Sequence, residues 1–401
     1  MSRPDPINTL CATQARNSGI DALRGLAIVL VVLHHIGLRL PLRKGMLADF
    51  VSLPLLNGLN YNGYEAVFVF FVLSGFLIAT TSLQRWGSLD RIDTKAFYAR
   101  RFARIVPCLL LLVGVLAMLH LVGATDYVIA REGQSLPRAI AAAVGLHLNW
   151  YEGATGYLPG GWDVLWSLSI EEVFYLAFPL LCLLVRRSGW LICILLALAL
   201  SLPYTHAALE GNEIWQEKAY LPGMAAISTG ILAALFAVHV QARAWLVRFL
   251  LALGSLGLVA VLFAEGWLWE GLGLGHGTLL VLTFATACLV IGLHWRGASG
   301  TSRALRGLGW LRSFGRLSYE IYLTHMFIVF AFVAAFKASG GDQRYGFLWY
   351  LPAIPLTWLL GATLARAFSI PCDRALRRLL LKRAVRADDI PITRAPEEMA
   401  T

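Results

Sequence analysis

The run Leu23-Arg-Gly-Leu-Ala-Ile-Val-Leu-Val-Val-Leu-His-His-Ile36 decides the fold. With its flanks it supplies an apolar stretch over 21–38, long enough to cross a membrane as a helix. Within it, Arg24 and His35 are eleven residues apart. Eleven helical steps bring a side chain back to within ~20° of its starting azimuth and ~16 Å further along the axis. The two groups therefore share one stripe of one helix. A cation near the membrane edge and an imidazole deep below it are costly in hydrocarbon, so both are expected to face a protein interior or a wet cavity.

The rest of the chain reads the same way. Of 401 residues, 58% are hydrophobic and 14% charged, where a soluble domain carries about 25% charged residues. Apolar runs recur at 21–38, 65–82, 107–123, 163–185, 189–204, 220–240, 249–264, 277–294, 317–337 and 346–368. The expected fold is all-α and polytopic, with about ten transmembrane helices. A shorter apolar piece, 138–150, sets the parity of everything after it. If it does not cross, Arg3, Arg16, Arg85 to Arg104, Arg186-Arg187, Arg243 to Arg248, Arg296 to Arg316 and Arg366 to Arg386 fall on one side. The other side then receives Asp126 to Glu132, Glu152 to Asp163, Glu210 to Glu217 and Glu265 to Glu270. The positive-inside rule favours that arrangement. The piece 138–150 is thus expected to be re-entrant or interfacial, and both termini cytoplasmic.

Lys and Arg outnumber Asp and Glu by 34 to 24, an excess that fits cytoplasmic loops rather than nucleic-acid binding. The first twenty residues lack an apolar core with a cleavage site, so the first span is expected to be its own signal anchor. Two units are expected: a membrane domain over 1–368, then a basic stretch and short tail over 369–401. The start of that stretch, Cys372-Asp-Arg-Ala-Leu-Arg-Arg-Leu-Leu-Leu-Lys-Arg383, reads as an amphipathic helix lying on membrane lipids. The six cysteines show no CxxC spacing and read as small buried hydrophobes, with no metal site expected.

Ionisable residues inside spans are candidate site residues. They are His34 and His35, Glu171 and Glu172, and Glu320 and His325. By helical rise, His35 and Glu171 reach compatible depths, so a carboxylate-oriented imidazole base is one reading and a simple tie between helices the other. His34 projects ~100° from His35 and is expected to pack against a neighbouring helix. Arg101 and Arg104 are i,i+3 at the entry to the third span, one face that suits phosphate oxygens or, equally, a topology signal or lipid headgroups. Ser74-Gly75 reads as a site of close helix packing. Gly271 to Gly277, although glycine-rich, has no preceding strand and reads as a connection.

Five ordered segments resemble the acyltransferase 3 family of integral membrane O-acyltransferases. They are Asp21-Ala-Leu-Arg-Gly-Leu-Ala with His35, Phe70-Phe-Val-Leu-Ser-Gly-Phe-Leu-Ile78, Arg101-Phe-Ala-Arg-Ile-Val-Pro107, Trp166-Ser-Leu-Ser-Ile-Glu-Glu-Val-Phe-Tyr175 and Gly315-Arg-Leu-Ser-Tyr-Glu-Ile-Tyr-Leu-Thr-His325. The resemblance implies transfer of an acyl group, commonly acetyl, from cytoplasmic acyl-CoA to a hydroxyl of a carbohydrate or glycolipid acceptor at the inner membrane. It implies no permanently bound cofactor; acyl-CoA is a co-substrate. The family's arginine–histidine pattern maps onto Arg24 and His35, and its R-x-x-R pattern onto Arg101 and Arg104. Arg24, Arg101 and Arg104 are then the expected donor-binding residues, and His35, oriented by Glu171, the expected base. An appended esterase-like domain, carried by some members, is not expected here. The rival from a different class is a proton-coupled transporter or flippase, which buried His and Glu would also suit. A third reading is a relative that has lost its chemistry.

Overall fold

In the computed structural model, residues 17–298 and 307–388 are described, and among them there is helix but no strand. Arg3, Arg16 and Cys11, the middle of the Arg296 to Arg316 loop and the tail from 389 lie outside the described residues. The helices that matter for the site are α1 (Ser18–Gly37), α2 (Gly63–Trp86), α3 (Thr94–Leu121), α4 (Leu136–Val144), α5 (Leu148–Thr155), α6 (Trp166–Leu184), α7 (Ser188–Leu200), α8 (Tyr220–His239), α9 (Ala244–Gly266), α10 (Thr278–Ala298), α11 (Gly309–Arg316), α12 (Ser318–Ala338), α13 (Tyr350–Leu364) and α14 (Ile370–Asp388). Nine helical stretches among the described residues are long and apolar enough to cross a membrane, and α7 is a shorter apolar helix beside them.

Segment 138–150 does not cross. It is split into α4 and α5, nine and eight residues long. Each is under half the ~20 residues a membrane crossing needs. The break falls at Leu146, which takes φ 58°, a conformation rarely adopted by a leucine. The buried contacts support the same parity. Arg24 donates to Ser318 Oγ at 2.9 Å, and eleven residues on, the His35 ring meets the His325 ring at 5.0 Å. Contacts that advance together along α1 and α12 mean that the two helices run parallel, which requires an odd number of crossings of the lipid between them. Basic residues accordingly gather at the end where α1 begins, and Glu152, Asp163 and Glu217 lie at the other.

Small residues set how closely the helices approach. A methyl on Gly75 of α2 would overlap the Ile227 carbonyl of α8, and one on Gly230 of α8 would overlap the Val72 carbonyl in return. Gly25 of α1 and Gly315 of α11 make the same kind of reciprocal contact with Leu311 and Asp21. Gly75→Val is therefore expected to lower the thermal midpoint of the detergent-solubilised protein, at a cost of about 1–3 kcal/mol from overpacking. Gly114→Ala on α3, where an added methyl meets nothing, is the matched control and is expected to leave the midpoint unchanged or slightly raised.

The cysteine reading holds for Cys108, Cys182 and Cys288, which are free and buried. Cys193 is free but exposed, on a helix whose flank faces outward.

Candidate active site

Arg24 and His35 point at one partner helix. On α12, Ser318, Tyr322 and His325 follow i, i+4, i+7 spacing and form one face. Arg24 bonds Ser318 at the basic end of this face and His35 packs on His325 further along it.

Beside the basic end lies a cavity of about 190 Å³. Arg24, Arg101 and Arg104 all line it, together with Ser74, Glu171, Glu172 and Tyr322. The three arginines predicted from sequence are thus brought together from two helices. Each is held by its surroundings. The Arg101 guanidinium stacks 3.8 Å from the Tyr175 ring centre, a cation–π contact. Arg104 pairs with Glu320 at 3.0 Å and donates to Ser369 Oγ at 3.2 Å, while Ser369 donates to the same Glu320 oxygen at 2.7 Å. Glu320, only 2% exposed, is therefore the counter-ion that fixes Arg104. Planar guanidiniums lining a cavity suit an anionic ligand better than a lipid-facing loop would.

Glu171 is placed differently from the sequence expectation. Its carboxylate accepts hydrogen bonds from Ser74 of α2 and from Tyr175 one turn along its own helix. These bonds face it into the arginine-lined cavity, and no hydrogen bond joins it to His35. The reason is local: Tyr175 at i+4 and Ser74 from the neighbouring helix capture the carboxylate. Ser74 thus does more than allow packing; Gly75 makes the close approach, and the Ser74 hydroxyl serves the cavity.

The cavity stops short of His35. Its wall at that end includes Tyr322, whose hydroxyl donates to the Val164 carbonyl at 2.9 Å and shares a 2.6 Å hydrogen bond with Ser167. Beyond Tyr322 lies a histidine cluster. His325, fully buried, sits 5.9 Å from the Tyr322 ring. His34 meets His35 edge-on at 5.2 Å and packs over Gly63 of α2, where no side chain would fit. Arg39 closes the cluster by donating to the His35 carbonyl at 2.9 Å and covering the Phe330 ring.

A third polar group lies at the acidic end and was not predicted. Lys218, 2% exposed, reaches Glu152 at 2.9 Å and also contacts Asp163. Its ammonium lies 4.3 Å from the Tyr157 ring centre. The bridge ties α5 and the entry to α6 to the start of α8. Sequence reading missed it because Lys218 falls just ahead of an apolar run and its partners fall in connecting segments. Tyr175 was legible as an i+4 neighbour of Glu171, but Ser74 and Tyr322 carry no local signal.

Residues 17–370 match the family model described as an acyltransferase domain. The chain is 28% identical over 173 residues to the O-acetyltransferase OatA of Staphylococcus aureus strain NCTC 8325, covering 40% of this chain and 24% of that protein. It is 27% identical over 216 residues to the peptidoglycan O-acetyltransferase OatA of Listeria monocytogenes, covering 51% and 29%. A putative O-acetyltransferase of S. aureus strain COL is 24% identical over 362 residues, covering 82% of this chain and 53% of the relative. The chain thus spans between about a quarter and a half of the length of these relatives. No solved structure matches.

Proposed function

The chain belongs to the acyltransferase 3 family of integral membrane proteins, and on that premise we propose that it transfers an acetyl group from acetyl-CoA to a hydroxyl of a cell-surface carbohydrate. The observation that carries this reading is the convergence of Arg24, Arg101 and Arg104 on one cavity, with His35 on the same stripe as Arg24. The relatives named for O-acetylation, one of them of peptidoglycan, support both the acetyl group and a carbohydrate acceptor. The family match favours transfer over transport.

In this account the basic end is cytoplasmic and both termini lie there, in the plasma (inner) membrane. The cavity, at about 190 Å³, is smaller than the roughly 300–1,000 Å³ of a drug-sized ligand site. It suits the thioester arm of the donor, with the nucleotide phosphates held at its mouth by the arginines. Glu171, Ser74 and Tyr175 hold Arg101 and shape this cavity. The acyl end reaches His35 when the Tyr322 hydroxyl leaves Ser167. His35 takes the proton of the acceptor hydroxyl, whose oxygen bonds to the thioester carbonyl carbon. The carbon–sulfur bond breaks, and the CoA thiolate leaves and receives the proton.

Donor binding is the test. Arg101→Ala, and Arg104→Ala made together with Glu320→Gln so that no buried carboxylate is stranded, are each expected to weaken coenzyme A binding about tenfold or more by calorimetry. That is the size of one lost charge-assisted hydrogen bond. Unchanged affinity in correctly folded variants would return both arginines to the role of topology signals.

A further inference from the structure

The structure removes Glu171 as the orienting partner of His35 and leaves another group in its place. His325 is fully buried. Its Nδ1 lies 2.8 Å from the Tyr322 carbonyl oxygen and 3.2 Å from that of Ile321. Carbonyl oxygens only accept, so Nδ1 carries the proton, and in the neutral ring Nε2 is the lone-pair acceptor. That Nε2 has no hydrogen-bond partner. A buried acceptor left unpaired costs about 1–3 kcal/mol and calls for an explanation in function. The neighbouring ring is His35, 5.0 Å away between centroids.

The same molecule shows what that separation permits. His206 and His276, at the acidic end, also lie 5.0 Å apart between centroids, and there Nδ1 of one is 2.8 Å from Nδ1 of the other. Burial and the neighbouring His276 push the His206 pKa down to about 4, so His206 enters the pair as a neutral ring near neutral pH. His35 and His325 stand at the separation of a hydrogen-bonded imidazole pair, and a turn about χ2, a broad and soft torsion for histidine, completes the bond.

We propose that His325 is the positioning residue for His35: its Nε2 accepts the N–H of the His35 ring and so fixes which His35 nitrogen is free to take the acceptor's proton. The inference rests on the reading of His35 as the base. It departs from a carboxylate-oriented base in one respect. Among the described residues no carboxylate pairs with the His35 ring; the imidazolium that forms is stabilised by a neutral lone pair and by the backbone-anchored dipole behind it. The proton stays on His35 until the thiolate leaves, and His325 keeps its own proton on Nδ1 throughout.

The test uses the full chain in membranes of the producing cell, which hold its natural acceptor, with radiolabelled acetyl-CoA titrated as the donor. His325→Leu is expected to lower the maximal rate per folded protein about 100-fold while leaving the donor KM within about threefold. His325→Gln, whose amide oxygen can accept the same N–H, is expected to recover at least tenfold of that loss. A packing role predicts the reverse order, because leucine suits a fully buried apolar site better than glutamine. Leucine performing as well as glutamine, or keeping a rate close to that of the unaltered protein, overturns the proposal. His35→Ala is run in parallel. If it retains transfer, the reading of His35 as the base fails; if it is inactive while His325→Leu is active, only the positioning role fails.

Discussion

His35→Ala is expected to remain folded in the membrane and to lose acyl transfer by about 10²–10⁴-fold, the range that a general base contributes. The substitution removes the only side chain on the Arg24 stripe that can take a proton at depth, and it leaves the cavity arginines untouched. Coenzyme A affinity should therefore be unchanged while the maximal rate collapses. The split matters, because a structural tie between α1 and α12 would instead show as loss of folded protein. His35 is only partly buried, lying against His34 and His325, and alanine strands no charge there. Loss of folding in this variant would argue for the tie; loss of rate alone argues for the base.

The second large effect concerns stability. Lys218→Met is expected to destabilise the protein by about 3–5 kcal/mol, the usual result of removing one member of a buried ion pair. Glu152 is fully buried and Lys218 nearly so, so the variant leaves a carboxylate without a cation in a dry site and Asp163 without its partner. The damage comes from the stranded charges rather than from any large net worth of the bridge. The triple variant Lys218→Met, Glu152→Gln, Asp163→Asn is accordingly expected to recover most of the loss. The check is the thermal midpoint of the solubilised protein at fixed detergent and scan rate. If the triple variant is no better than Lys218→Met, the cluster contributes net stability of its own.

The α1 stripe was legible because helical periodicity relates Arg24 to His35 without knowledge of any other helix. The same holds for Arg101 and Arg104, whose i,i+3 spacing puts both on the cavity, and for the failure of 138–150 to cross, which charge asymmetry alone predicted. What periodicity cannot supply is the partner across a helix–helix contact. Helical rise suggested a shared depth for Glu171 and His35, and hence a pair. The packed helices instead set Glu171 beside the basic end, bonded to Ser74 and Tyr175 in the arginine-lined cavity, and His35 beyond Tyr322 against His325. The Lys218 bridge was hidden for a related reason: its members are distant in sequence and meet only when α5 folds back against α8.

Acylation of a carbohydrate by way of His35 is checked by mass spectrometry of surface glycans from cells carrying the unaltered protein, cells carrying His35→Ala at the same level, and cells carrying neither. A glycan species heavier by one acetyl unit is expected in the first strain alone. Identical glycans in all three strains, or the added acetyl persisting with His35→Ala, would contradict it.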